Sequence, residues 1–196
     1  MSYGMVIDLK RCVGCGACAT ICKAENGTPP GVTRSKVMKA EKGEFPNVTR
    51  ISLPLLCMHC EHPSCVKVCP TGATAKGPDG IVTVDKKVCI GCRACMTACP
   101  YGARYFREDT DGYFGETLTP YESVKYEDMP RGVIDKCNFC AETRLSKGLE
   151  PACVQTCITE ARHFGTREEL ALLIAQRKGY QLRPDLGTDP SVYYLP

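Results

Sequence analysis

No stretch of this chain is apolar for long enough to cross a membrane as a helix. The longest helix-like apolar run is Leu170–Ala175, against the ~20 residues that a span needs. The opening segment, Met1 to Lys10, holds Asp8 and Lys10 and lacks the apolar core of an export leader. Any membrane is therefore expected to be met through a partner, without direct insertion. The 25 lysines and arginines are scattered and form no basic stripe, which excludes a general nucleic-acid binder. No nucleophile–base pair and no phosphate-binding glycine loop is legible, so this chain alone is expected to turn over no substrate.

What is abundant is cysteine, with 16 in 196 residues, a level that marks a disulfide scaffold or a metal protein. The length allows one domain or two small ones with a modest core. The cysteines fall into four groups of four: Cys12, Cys15, Cys18 and Cys22; Cys57, Cys60, Cys65 and Cys69; Cys89, Cys92, Cys95 and Cys99; and Cys137, Cys140, Cys153 and Cys157. The first and third groups share the spacing C-x2-C-x2-C-x3-C, and Pro70 and Pro100 follow the second and third groups. Three cysteines so spaced wrap a tight loop around one corner of a cubane, while the fourth lies a helical turn further on and points away. In bacterial two-cluster ferredoxins that fourth cysteine ligates the other cluster. Proline after it closes the loop without an N–H, and Gly14, Gly16 and Gly91 let backbone amides approach the sulfurs. Ligated cysteines are thiolates, so the formal charge of +3 is misleading: sixteen thiolates and four doubly positive cluster cores bring the loaded chain to about −5.

A disulfide framework belongs to an oxidising compartment and usually to chains under ~100 residues, which this spacing does not suit. Zinc ribbons also use C-x2-C pairs, and the fourth group alone is open to that reading, giving a zinc-stabilised interaction protein as one alternative. The first and third groups are not, since a zinc site has no need of so dense a set. His59 and His62 lie within the second group, but a complete cysteine set is present, so packing or ligand support is expected of them. His163 is expected to be structural.

The expected fold class is α+β: two nested ferredoxin-like units with short strands, short helices and long loops. Residues 53–106, with the strand-like Ile81-Val82-Thr83-Val84 after the turn at Pro78-Asp79-Gly80, form an inserted unit. By the ferredoxin rule its ligand sets are Cys57, Cys60, Cys65 with Cys99, and Cys89, Cys92, Cys95 with Cys69. Residues 1–52 plus 132–196 form the outer unit, with sets Cys12, Cys15, Cys18 with Cys157, and Cys137, Cys140, Cys153 with Cys22. The cysteine-free stretch 107–131, rich in acids and tyrosines, reads as an insertion loop, either a solvated surface or a partner contact. In the tail, Thr166 and Glu169 form a capping box, Leu170, Leu173 and Ile174 line one helix face, and Gly179 is the expected stop. Leu182–Pro196 reads as an extended arm packed on its own domain or on a partner.

Several segments resemble the four-cluster iron–sulfur subunits of the dimethyl sulfoxide reductase family of molybdenum enzymes, which serve polysulfide, thiosulfate, arsenate and dimethyl sulfoxide reductases. The resemblance covers nearly the whole length. It rests on Met5-Val6-Ile7-Asp8 before Cys12-Val13-Gly14-Cys15, on Cys57-Met58-His59-Cys60, and on Val68-Cys69-Pro70-Thr71-Gly72-Ala73. It extends through Cys99-Pro100-Tyr101-Gly102-Ala103-Arg104, Asp135-Lys136-Cys137-Asn138-Phe139-Cys140, Pro151-Ala152-Cys153-Val154 and Leu186-Gly187-Thr188-Asp189-Pro190.

The resemblance implies four [4Fe–4S] clusters on sixteen cysteines. It also implies a large catalytic partner holding a bis-pyranopterin molybdenum or tungsten cofactor, and an integral-membrane anchor exchanging electrons with quinol. Location is then peripheral on the cytoplasmic membrane of a prokaryote, on the periplasmic face by co-export with the catalytic subunit rather than cytoplasmic. Ile158 departs from the family, where proline is frequent after the last cysteine. The alternative function is a polyferredoxin-type subunit of a hydrogenase, carbon monoxide dehydrogenase or formate-oxidising complex. Lys10, Arg11, Lys86, Lys87 and Arg93 lie beside ligands, where positive charge raises reduction potential. Arg93→Glu is expected to lower the potential of the third-group cluster, as read in a redox titration.

Overall fold

Met5, Val6 and Ile7 are consecutive apolar residues without alternation, the pattern of a strand covered on both faces, and all three are fully buried. In the computed structural model, which describes residues 1–196, they lie in β1 (Tyr3–Asp8). There follow α1 (Ala17–Asn26), β2 (Ser35–Lys42), β3 (Thr49–Leu56), α2 (Ser64–Lys67), β4 (Thr74–Lys76) and β5 (Val82–Val84). Next come α3 (Ala94–Thr97), β6 (Tyr105–Phe106), α4 (Pro120–Lys125), β7 (Ile134–Asp135) and α5 (Ala152–Gln155). The chain closes with β8 (Arg162–Thr166), α6 (Arg167–Gln176), β9 (Tyr180–Gln181) and β10 (Val192–Leu195). Short helices and short strands are mixed along the chain, an α+β composition.

The largest sheet has four strands in the order β8-β1-β10-β9, drawn from both ends of the chain. β10 runs parallel to β1, with Met5 opposite Val192 and Asp8 opposite Leu195, and β8 runs antiparallel on the other side. Three two-stranded ribbons, β2–β3, β4–β5 and β6–β7, complete the sheet structure. α1 packs on α5 and α2 on α3. The core runs through Met5, Ile7, Met58, Ile81, Phe139 and Tyr194 together with buried cysteines.

The expected capping box is present: the Thr166 hydroxyl accepts from the Glu169 amide and the Glu169 carboxylate accepts from the Thr166 amide. Leu170, Leu173 and Ile174 close over Val6 and Leu195. The helix stop differs from expectation. Lys178, not Gly179, takes the left-handed conformation (φ 51°), and the Gly179 amide then donates to the Ile174 carbonyl at 2.8 Å. Gly179 is there for room, since a Cβ would meet Ile174 and Leu195 side chains at 3.1 Å.

The tail also goes further than an extended arm. It supplies β10, an inner strand, and its fully buried Tyr194 donates to the Pro54 carbonyl at 2.8 Å.

Residues 107–131 are folded as well. Thr119 and Glu122 cap α4, and the buried Glu122 carboxylate accepts from the amides of Tyr113 and Thr119, both at 2.8 Å. Arg107 binds the carbonyls of Met129, Asp109 and Thr110 and lies over Tyr126. Lys23 and Lys125 tie the segment to α1, through the Tyr113 hydroxyl at 2.6 Å and the Glu25 carbonyl at 3.0 Å. A loop reading missed this because its signals are polar side chains meeting backbone, which leave no hydrophobic period.

Leu170→Ala is expected to cost about 2–5 kcal/mol in an anaerobic denaturant titration, because it opens a cavity beneath α6. Leu172→Ala, on the exposed face of the same helix, should stay within ~0.5 kcal/mol.

Candidate metal centre

The first C-x2-C pair of each of the four groups turns through a left-handed residue just before its second cysteine: Gly14 (φ 67°), His59 (φ 43°), Gly91 (φ 67°) and Phe139 (φ 53°). Glycine is required where backbone or a short side chain presses in: a Cβ on Gly91 would lie 2.0 Å from the Gly132 carbonyl oxygen. At the other two positions the strained residue is held by its side chain. His59 and Phe139 are buried and stack on each other with ring centroids 3.8 Å apart, joining the second group to the fourth.

His59 Nδ1 accepts from the Val82 amide at 3.1 Å, which fixes the ring as a packing group rather than a ligand. Burial, with the charges of Lys136 and Arg104, holds it well below the usual histidine range and thus neutral.

No two of the sixteen cysteines form a disulfide, and the fold gathers cysteines across group boundaries. Cys12, Cys15, Cys18 and Cys157 line one cavity. Cys57, Cys60, Cys65 and Cys99 line a second, and Cys22, Cys137, Cys140 and Cys153 a third. Cys95 lies within charge range of Cys89 and Cys69, while Cys92 is exposed. The cysteines surround spaces instead of closing on a point, and no three Cys, His, Asp or Glu side chains are placed to hold a single ion as a zinc ribbon would.

Burial resists ionisation of the inner thiols: Cys60 is pushed up to about 12, with Cys57 adding to the effect, and Cys137 to about 12 despite Lys136 beside it. At Cys69 burial also opposes ionisation, but the Thr74 amide (3.4 Å) and the Thr71 hydroxyl outweigh it and bring the thiol down to about 7. Cys157 behaves alike, with the Ala161 amide (3.2 Å) and Thr159 hydroxyl overcoming burial. Amide donors on sulfur are among the contacts that set cluster potential.

Four buried cations thread between the thiols, and sequence reasoning missed their role. Arg34 makes a bidentate pair with Asp135 at 2.6 and 2.7 Å. Arg162 donates to Cys18 Sγ and Ser35 Oγ, both at 3.3 Å. Arg104 donates to Thr74 Oγ1 at 3.1 Å, and its Nη2 is buried without a partner beside Cys65 and Cys95. Lys136 donates to the carbonyls of Val82 and Cys137. One signal was available: an Ala-Arg pair ends five residues after both Cys99 and Cys157.

The surface cations are otherwise engaged. Arg93 lies over Phe106 and 3.6 Å from Glu108 with its side chain 53% exposed, Arg11 pairs with Glu160, and Lys86 binds the Asp128 carbonyl. Ile158 is 79% exposed beside Cys157.

A family model described as a 4Fe-4S dicluster domain matches residues 48–116 and again 115–167, and a second model of the same description matches 11–73. The chain belongs to the 4Fe-4S dicluster family. As a member it carries four [4Fe–4S] clusters, and the unpartnered Arg104 Nη2 and the cysteine-lined cavities fit such sulfur-rich anions.

This dicluster protein is 47% identical to a subunit of the selenate reductase of Mesobacillus selenatarsenatis, over 97% of this chain and 70% of that one. It is 39% identical to the arsenate respiratory reductase iron-sulfur subunit of a Shewanella species, over 100% and 96%. With the thiosulfate reductase electron transfer subunit of Salmonella typhi it shares 42%, over 97% and 91%.

Asp135→Asn leaves Arg34 buried and unpaired, and is expected to cost about 3–5 kcal/mol in anaerobic denaturant unfolding.

Proposed function

We propose that this chain is the electron-transfer subunit of a molybdopterin oxidoreductase, a relay between a large catalytic subunit and a membrane anchor or other carrier. The observation that carries this reading is the gathering of cysteines from separate groups around cavities in a chain whose relatives are reductase subunits. When bound, each cluster takes up and gives back one electron. The chain supplies thiolate ligands, amide and cationic groups that set potential, and a fixed spacing.

In this reading the ligands are Cys12, Cys15, Cys18 and Cys157; Cys22, Cys137, Cys140 and Cys153; Cys57, Cys60, Cys65 and Cys99; and Cys69, Cys89, Cys92 and Cys95. Two nested units follow, residues 53–106 within 1–52 plus 132–196, with 107–131 between them. The shared sheet of β1, β8 and β10 and the packing of α1 on α5 and α2 on α3 support that division.

In this reading the sets adjoin in the order first, fourth, second and third. Arg162 adjoins Cys18 and Cys153, Cys137 feels the charge of Cys57, and Arg104 adjoins Cys65 and Cys95. Cys15 and Cys92, in the first and last sets of that order, are exposed and in this reading mark the partner-facing ends. No helix is long and apolar enough to cross a membrane, so membrane contact runs through the anchor. Co-export with the catalytic subunit places the complex on the periplasmic face.

An anaerobic pull-down of the tagged chain from its host tests the assignment. Molybdenum or tungsten arriving with a large subunit is expected. Iron alone would remove the partner, and nickel would transfer the chain to a hydrogenase-type complex. The crossed ligands have their own check: Cys157→Ala should abolish the same paramagnetic signal as Cys15→Ala, and Cys22→Ala the same one as Cys140→Ala. A Cys157→Ala variant that loses the Cys140 signal instead would show uncrossed sets.

A further inference from the structure

Four sets adjoining in that order have three junctions, and each junction holds one buried cation. Arg162 (4% exposed) separates Cys18 from Cys153, and Lys136 (3%) lies between the Val82 carbonyl of the second-group unit and Cys137. Arg104 (4%) stands between Cys65 and Cys95. None of these three is paired with a carboxylate, whereas Arg34 in the same region is bound to Asp135. An unpaired charge in a protein interior costs several kcal/mol unless an opposite charge lies close by. Cysteine sulfurs surround Arg162 and Arg104, and Lys136 lies beside Cys137.

We propose that Arg162, Lys136 and Arg104 are fixed counter-charges, each shared by the two cluster sites it separates and each raising the reduction potential of both. The inference rests on the four-cluster reading above. Its physical basis is direct. Adding an electron to a cluster makes it one unit more negative, and a fixed positive charge beside it favours that state. A cation placed between two sites acts on both, so neighbouring potentials move together.

The anchoring of the cations repeats. Arg104 and Arg162 each follow a buried alanine five residues after a crossing cysteine, Cys99 and Cys157. Each is tied to one hydroxyl, of Thr74 or Ser35. Lys136 is held by two backbone carbonyls and needs no hydroxyl. Burial opposes the charge on Arg162 and Arg104, yet the sulfurs around them hold both more firmly protonated than usual. Surface charges act more weakly: Arg93 faces Glu108 in solvent, where its field is screened.

The test uses the full-length, cluster-loaded protein, with iron content measured first and midpoint potentials then followed by EPR. Arg162→Gln is expected to lower the potentials of the first-set and fourth-set clusters, each by a tenfold change in the reduction constant, about 59 mV for one electron. Arg104→Gln should do the same to the other two clusters and leave the first pair in place. Arg162→Lys and Arg104→Lys keep the charge and should retain the parental midpoints.

Should a glutamine variant fail to load iron, its lysine counterpart decides: loading with parental midpoints supports a need for charge, and failure of both overturns it in favour of shape. Loaded glutamine variants with four unchanged midpoints would also overturn it. A parental protein without iron would instead remove the four-cluster reading itself.

Discussion

Thiolates repel one another, and here sixteen are brought together in a small chain, seven of them buried where no water softens the repulsion. Burial pushes Cys60 and Cys137 to about 12, so at neutral pH these thiols ionise only when a metal takes the place of the proton. The buried cations face the same condition from the other side: Arg104, Lys136 and Arg162 have no carboxylate and need the anionic sulfur that ligation creates. Neither partner is comfortable without the other. The interior is electrostatically complete only when loaded, which couples folding to cofactor capture.

The four groups of cysteines are legible from spacing alone, because ligand geometry tolerates little variation in loop length. The Thr166–Glu169 box and the apolar face of α6 were equally legible, being local in sequence. What escaped reading depends on distant partners. β10 becomes an inner strand only because β1 and β9 lie on either side of it, and nothing in Leu182–Pro196 announces those neighbours. α4 and its surroundings are organised by Glu122 and Arg107 binding backbone groups, which leaves no periodic trace. The junction cations look in sequence like any other lysine or arginine. Only the recurrence of Ala-Arg after Cys99 and Cys157 sets two of them apart.

The left-handed positions show how one backbone need is met in two ways. Gly14 and Gly91 serve in the groups with exposed cysteines, where the loop is crowded by Ser52 or Gly132. His59 and Phe139 serve in the groups without an exposed cysteine, and their stacking joins the second group to the fourth. A histidine between metal sites invites a ligand assignment; its stacking, its bond from Val82 and its neutrality make it a rigid spacer instead. Relatives named for selenate, arsenate and thiosulfate reduction match this chain along nearly its whole length, so the scaffold is compatible with widely different substrates handled elsewhere.

The position of β10 sets an order in time. The four-stranded sheet has its inner strand made long after β1, and after every cysteine in the chain has left the ribosome. The segment from Cys57 to Cys99 holds eight of the cysteines and is synthesised without interruption, so it is able to mature while the rest is still emerging. In the proposed ligand sets the flanking half waits with Cys12, Cys15 and Cys18 uncovered until Cys157 and β10 arrive. On that reading maturation runs from the middle of the polypeptide outward, and the earliest cysteines to emerge are among the last to be enclosed.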